Sequence, residues 1–431
     1  MIIFATHITN RLQYITTTLF GSNILLTSNV NEYKTSPLFK LNYSFNKIVD
    51  DELWIIPHTL LFQSNIQPQN INCFKWNELP IFFKTQGTIP FDVLAASFFL
   101  ISRYEEYLPC EKDEHGRYNY INSIAYQNNF LHLPLVDLWL KKLKELYPKL
   151  SIRNTQFKLL LTYDVDIAFQ YLHHSTIKNI FLFYKELFKG NFNKVVEQGN
   201  VFSGRKKDPF NDVFNWLDDL HKKYKLQPIY FLLILLNRNK YDVNVLASSK
   251  AIKKLYKQLS EKYTVGLHPS YKSSEGKNKK LFIQEKNILS AIIQKNITVS
   301  RNHYLCFSIP QTYRMLIQQG FTDDYSMAFA GINGFRASTS NSFFWFDIER
   351  NEATVLQIHP FSFMDATSFF YQKNSPQQAY NEMLQYYEII KYVDGTFITL
   401  FHNHFLTEQP EWMEWRKMYE KFLATVSNMP V

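Results

Sequence analysis

The sequence predicts an α/β protein: a (β/α) barrel over residues 151–431, preceded by a smaller α/β accessory domain over 1–150. Three observations carry that expectation. From Ser151 onward, short apolar runs alternate with helix-length amphipathic segments, the pattern of a mainly parallel sheet. The alternation repeats often enough to favour a barrel over a short open sheet. Polar residues gather at the carboxyl ends of the apolar runs, the face on which a parallel barrel builds its active site.

In the first 150 residues, the runs 24–27, 53–56 and 81–83 read as strands. From Phe91 the apolar residues Leu94, Ala95, Phe98, Phe99 and Ile101 have helical spacing, with Pro90 near the start. Arg103, Glu105 and Glu106 at its end read as a salt-linked helix face. Residues 113–117 are a turn signal, and Leu135, Leu138, Leu143 and Leu146 mark a second helix closed by Pro148. His7, His58, His115 and His132 are isolated and read as structural. Beyond Ser151 the expected strands are 158–166, 228–235, 264–268, 297–304, 334–337, 354–360 and 396–402. Helices are expected near 211–225, 246–262, 281–295, 310–319 and 376–392. The stretch 171–208, aromatic, basic and rich in Asn, reads as an insertion after the first of these strands.

Composition narrows the function classes. A hydrophobic fraction of 46% with 17% aromatics supplies a core and excludes disorder. The net charge of +9 is scattered into short clusters such as 205–207 and 277–280, and no basic amphipathic helix stands out. No nucleic-acid-binding module is visible. Cys73, Cys110 and Cys306 are too few and too far apart for a disulfide framework or a thiolate zinc site. The longest apolar run, 229–236, is too short for a transmembrane segment, and Arg11 follows too soon for a secretory signal. A cytoplasmic location is therefore expected.

The chemistry centres on Leu159-Leu160-Leu161-Thr162-Tyr163-Asp164-Val165-Asp166. Alternation along a strand points both carboxylates the same way, and two like charges at the end of a buried strand call for a cation, a proton or a strong donor between them. The plain alternative is an Asp-rich turn. Later strand ends carry His268, Arg301 with His303, Arg336, His359, and His402 with His404. Imidazole plus carboxylate without cysteine suits a catalytic zinc-like site with three protein ligands and an open position. Asp166, His268 and His303 are the first choice. Asp164 beside the metal would take a proton from its water, Arg301 or Arg336 would orient Asp164, and His402 would protonate the leaving group. Tyr163, Trp345 and the tract 343–346 could stack on a sugar ring, with buried core as the plainer reading.

These residues resemble the polysaccharide deacetylases of carbohydrate esterase family 4, the NodB-homology group, and especially the branch with an extra N-terminal domain of unknown function. Thr162-Tyr163-Asp164-Val165-Asp166 resembles the family's first motif and Leu400-Phe401-His402 its last, over roughly residues 155–408. Phe91-Asp92 and residues 102–107 resemble the accessory domain. The resemblance implies a distorted (β/α)7 barrel, a divalent metal such as zinc, and removal of an acetyl group from a sugar or glycan. It makes Asp164 the base, Asp166 a metal ligand and His402 the acid. The family's Arg-x-x-Pro groove motif is absent as such, with Arg301-Asn302-His303-Tyr304 in its place, and Lys272 stands where the metal motif's second histidine would be. Either His303 replaces that ligand, or the metal is weakly held, or the chain is a degenerate deacetylase acting as a carbohydrate-binding or scaffold module.

Overall fold

The computed structural model describes residues 1–274, 278–427 and 429; Lys277, in one of the basic clusters, lies outside the described residues. In chain order the strands are β1 (Ile2–Ala5), β2 (Leu25–Thr27), β3 (Lys40–Tyr43), β4 (Leu53–Ile55), β5 (Phe74–Trp76), β6 (Leu79–Ile81) and β7 (Lys158–Val165). They continue as β8 (Ile229–Leu233), β9 (Thr264–His268), β10 (Val299–Ser300), β11 (Asp323–Asp324), β12 (Phe343–Asp347), β13 (Glu352–Ile358), β14 (Phe363–Met364) and β15 (Thr396–His402).

The chain forms two compact units, each assembled from separated stretches. The first joins Met1–Leu159 to Phe307–Ser362 and Tyr386–Phe397; the second joins Leu160–Cys306, Phe363–Gln385 and Ile398–Val431. The expected pieces 1–150 and 151–431 follow sequence texture, whereas these units follow packing. The reason is visible inside the first unit, where the later stretch returns to the N-terminal one through Arg336–Glu106 and Asp137–Ser340 contacts.

The first unit holds a parallel sheet in the order β2-β1-β3-β4. The helix Asn10–Phe20 buries Leu12, Ile15 and Leu19, whose spacing gives one apolar face. The helix Val93–Ile101 is apolar all round and buried all round. Asp92 caps it, its carboxylate accepting the N–H groups of Leu94 and Ala95. β13 pairs antiparallel with β12 and parallel with β11. The aromatic tract 343–346 is thus a strand, with Phe343, Trp345 and Phe346 in the core. The expected strand at 334–337 is irregular chain instead. Gly334 sits there at φ +140, so close to Leu131 that a Cβ would clash.

In the second unit the strands run β10-β9-β8-β7-β15-β14. β7 with β8, β8 with β9, β9 with β10 and β14 with β15 are parallel. The expected parallel α/β architecture is therefore present. Among the described residues β14 pairs with β15 at the end of this order. β7 is buried from Leu161 to Val165, as its continuous apolar run requires. The expected strand 297–304 stops at Ser300, and the chain turns through His303–Leu305 with Tyr304 and Leu305 at positive φ. Each non-glycine residue held there costs about 1–2 kcal/mol. That turn directs His303 to the same place as the end of β7. The insertion after β7 folds as two helices, Thr176–Phe188 and Phe192–Phe202. No helix among the described residues is long and apolar enough to cross a membrane.

Candidate metal centre

All the groups that meet here belong to the second unit, and their backbone supports explain why they meet. Asp164 lies on β7, and Asp166 follows its last residue. Asn244 holds the chain just beyond, donating to the Val165 carbonyl and accepting the Ala168 N–H. Asn403 Nδ2 donates to the Ile167 carbonyl. His268 ends β9, His303 sits in the strained turn after β10, and His402 ends β15.

One carboxylate oxygen of Asp166, one ring nitrogen of His268 and one of His303 lie within 4.8 Å of one another. Asp166 Oδ1 is 3.1 Å from His268 Nε2, and Asp166 Oδ2 is 3.4 Å from His303 Nε2. His268 Nδ1 lies 2.6 Å from the Arg301 carbonyl. A carbonyl can only accept, so Nδ1 carries a proton and Nε2 is the nitrogen turned toward Asp166. His303 Nδ1 is held in the same way by Asp242, at 2.9 Å. Locking one ring nitrogen with an oxygen so that the other faces inward is the usual outer support of a metal-binding histidine.

The polar atoms of this trio suit a metal. Asp166 Oδ1 and His268 Nε2 are buried and make no hydrogen bond despite their closeness. Buried polar atoms are nearly always paired, and two facing acceptors are satisfied together by a cation. The residues fit. Electrostatics agree: burial pushes the Asp166 carboxyl up, but His303 and His268 outweigh it and hold it well below the usual carboxylate range. Burial pulls His303 down, while Asp166 and Asp242 lift it to about 10. The pocket favours positive charge at this point. Lys272, at the position of the missing histidine, is exposed to solvent, while His303 faces Asp166.

Around this trio stand the groups expected to move protons. Asp164 is buried, with Oδ2 3.6 Å from His268 Nε2 and Oδ1 accepting from Arg301 Nη1 at 3.0 Å. Arg301 is fully buried, also donates to Thr162 Oγ1, and lies 4.2 Å over the Phe231 ring. Gly266 makes room for that ring; a Cβ there would come within 2.8 Å of it. His402 Nε2 is 3.4 Å from Asp166 Oδ2, and its Nδ1 is 2.6 Å from Asp365 Oδ1. Burial pulls His402 down, but Asp365, Asp166 and Asp164 raise it to about 9. His404, two residues on, is driven by burial and by His402 to about 3.

Asp164, Asp166, His268, Arg301, His303 and His402 therefore come together, and Arg336 does not join them. Arg336 belongs to the first unit, where Nε and Nη2 clasp Glu106 and Nη1 donates to the Ala328 carbonyl. Its guanidinium is consumed there, so Arg301 alone orients Asp164. His359 is likewise in the first unit, between Ser342 Oγ and Asp323. Tyr163 and Trp345 are buried, and Tyr163 bonds His221 and Tyr419. Neither presents a face to a ligand.

Sequence reasoning missed Asp242 and left Asp365 without a role. Asp242 lies in a loop beyond β8, and its only signal is an acidic residue after the carboxyl end of a parallel strand. Also missed was an aromatic cluster beside His303. Tyr241 and Tyr271 stack at 4.0 Å, and Tyr304, 36% exposed, packs edge-on against both.

Comparison with known proteins gives the following. Residues 1–151 match a family of unknown function, DUF7033. No curated protein sequence matches the chain. Among solved structures, the chain is similar to a Mycobacterium smegmatis protein ascribed to the polysaccharide deacetylases, at 11% identity and a TM-score of 0.41, over 64% of this chain and 86% of that one. It is similar to the allantoinase Puue at 8% identity and a TM-score of 0.39, over 64% and 85% of the two chains. A polysaccharide deacetylase from Bacillus cereus is similar at 11% identity and a TM-score of 0.30, over 63% and 89%.

Proposed function

We propose that this chain is a metal-dependent hydrolase that removes an acyl group, N-acetyl by first choice, from a sugar or glycan. The observation that carries the reading is the convergence of Asp166, His268 and His303 beside an Arg301-held Asp164. The motif resemblance around Asp164 and His402 supplies the substrate class. With it comes a deacetylase-type barrel over 151–431, behind an accessory domain over 1–150. A divalent ion, zinc by first choice, would be held by Asp166, His268 and His303. When bound, it supplies Lewis acidity toward a carbonyl oxygen and toward water.

The chain's own residues divide the proton work. Asp164, fixed by Arg301, takes the proton from the attacking water as its oxygen bonds to the acyl carbon. His402, raised to about 9, is protonated at neutral pH and gives its Nε2 proton to the departing amine. Asp365 holds the opposite ring nitrogen and keeps that proton aimed inward. The products are the carboxylic acid and the free amine. Tyr304, with Tyr241 and Tyr271 behind it, offers an aromatic face on which a sugar ring stacks.

The test is metal analysis of the full chain together with acetate release from N-acetylglucosamine oligomers. Asp164→Asn is expected to keep stoichiometric metal and lose turnover by about 10²–10⁴-fold. A carbohydrate-binding scaffold would carry no stoichiometric metal, and full turnover in Asp164→Asn removes that residue from the role of base.

A further inference from the structure

The insertion after β7 has no part in the chemistry above, yet it carries the most unusual surface of the second unit. The helix Thr176–Phe188 has no buried residue at all. Its apolar residues Ile177, Ile180, Phe181, Tyr184, Leu187 and Phe188 recur at helical spacing and make one continuous stripe. Such a stripe normally faces a core. Here Ile177 is 82% exposed, Phe181 65% and Phe188 86%. The next helix, Phe192–Phe202, adds Phe192 and Val196 to the exposed surface and is tied to the first through Gln198 Nε2 and the Asn179 carbonyl. Exposed apolar surface on this scale marks an interaction site.

Charge identifies the occupant. Residues 171–208 hold seven lysines and arginines against three carboxylates, so the insertion carries four net positive charges. Lys185 and Lys189 are exposed and lie about a quarter turn from the stripe, along one of its edges. The complementary surface is apolar within and anionic at its rim. Amphipathic helices with aromatic and aliphatic residues on one face and lysines beside it lie in the plane of such a lipid interface. The feet of the insertion are fixed: the Asp208 carboxylate accepts the N–H groups of Gln170, Tyr171 and Leu172 and caps the helix that follows. We propose that the helix pair Thr176–Phe188 and Phe192–Phe202 is a peripheral docking surface for an anionic lipid bilayer. The charge pattern was not visible as a basic amphipathic helix in the sequence because its lysines are widely spaced.

The experiment is flotation of the full chain with phosphatidylcholine vesicles, with and without a minority of phosphatidylglycerol. The wild type is expected to float with the anionic vesicles and to bind at least about tenfold less to neutral ones or at high salt. The double variant Phe181→Glu/Phe188→Glu is expected to lose at least about tenfold in binding, because a charge replaces each apolar anchor. Lys185→Glu/Lys189→Glu is expected to lose the preference for anionic lipid. All four positions are exposed, so an unchanged melting temperature and metal content certify folding. Absence of flotation, or equal flotation of wild type and Phe variants, overturns the proposal. So does a stable dimer in light scattering that the Phe variants dissociate, which assigns the stripe to a second copy of the chain.

Discussion

Two buried charge clusters, one in each unit, look alike in a list of residues and differ in what they leave unsatisfied. In the first unit Arg103 and Arg336 meet Glu105 and Glu106, two positive groups against two negative. Arg103 donates to both glutamates and to the Arg336 carbonyl. Arg336 clasps Glu106, and Glu105 also accepts the Ile124 N–H. Burial pushes Glu106 up, but the two arginines hold it below the usual carboxylate range. The cluster is closed. In the second unit, Asp164, Asp166, Asp242 and Asp365 face one arginine and three histidines, and the buried Asp166 Oδ1 and His268 Nε2 make no hydrogen bond. That cluster is left open, and the cation proposed above would close it. Charge balance and orphaned atoms, rather than the number of charged residues, separate a structural network from a binding site.

The comparison breaks most visibly at Asp166. Asp166→Ala is expected to abolish metal binding and turnover while leaving the circular dichroism spectrum intact; a variant that retains stoichiometric metal defeats the assignment. Next in size, His402→Ala should lower kcat by about 10²–10⁴-fold with metal content and KM little changed. A parallel fall in metal content would make His402 a ligand instead of the acid. The closed cluster should respond in the opposite currency. Glu106→Ala leaves the buried Arg336 guanidinium without its carboxylate and Arg103 with Glu105 alone, and is expected to cost about 3–5 kcal/mol in denaturant melts without changing the metal content of the folded protein.

A third buried carboxylate sharpens the contrast, because Glu285 has only neutral donors, Ser270 and Ser273. Burial lifts it from 4.5 to about 7. The folded protein keeps this proton at pH values where the unfolded chain has lost it. The stabilising contribution is therefore complete below pH 4.5 and lost as pH rises toward 7, by at most about 3 kcal/mol. Glu285→Gln should flatten that part of the stability–pH curve; an unchanged slope places its origin in other groups.

Much of this site was legible because parallel strands impose rules on sequence. Alternation put Asp164 and Asp166 together, and apolar runs ending in polar residues located His268 and His402. His303 was legible as a residue but not as a geometry. It was assigned to a strand, whereas a turn with two non-glycine residues at positive φ aims it, and such residues leave no signature in sequence. Arg336 misled because a run of four residues resembled a strand, and only the fold reveals its pairing with Glu106 more than two hundred residues earlier. The interleaving of the two units was hidden for the same reason: a sequence shows where texture changes, not where the chain returns.

The strand order carries a last consequence. β7, which bears Asp164, and β15, which bears His402, are hydrogen-bonded neighbours. Neighbouring strands lie about 4.8 Å apart, a spacing fixed by the backbone ladder and indifferent to side-chain identity. The span between Asp164 and His402 is thus set in large part by the main chain. Loops such as the one bearing Tyr241 can lengthen, shorten or change partner without altering it. Under the proposed reading, substrate choice would be free to drift while the ruler between Asp164 and His402 stays constant.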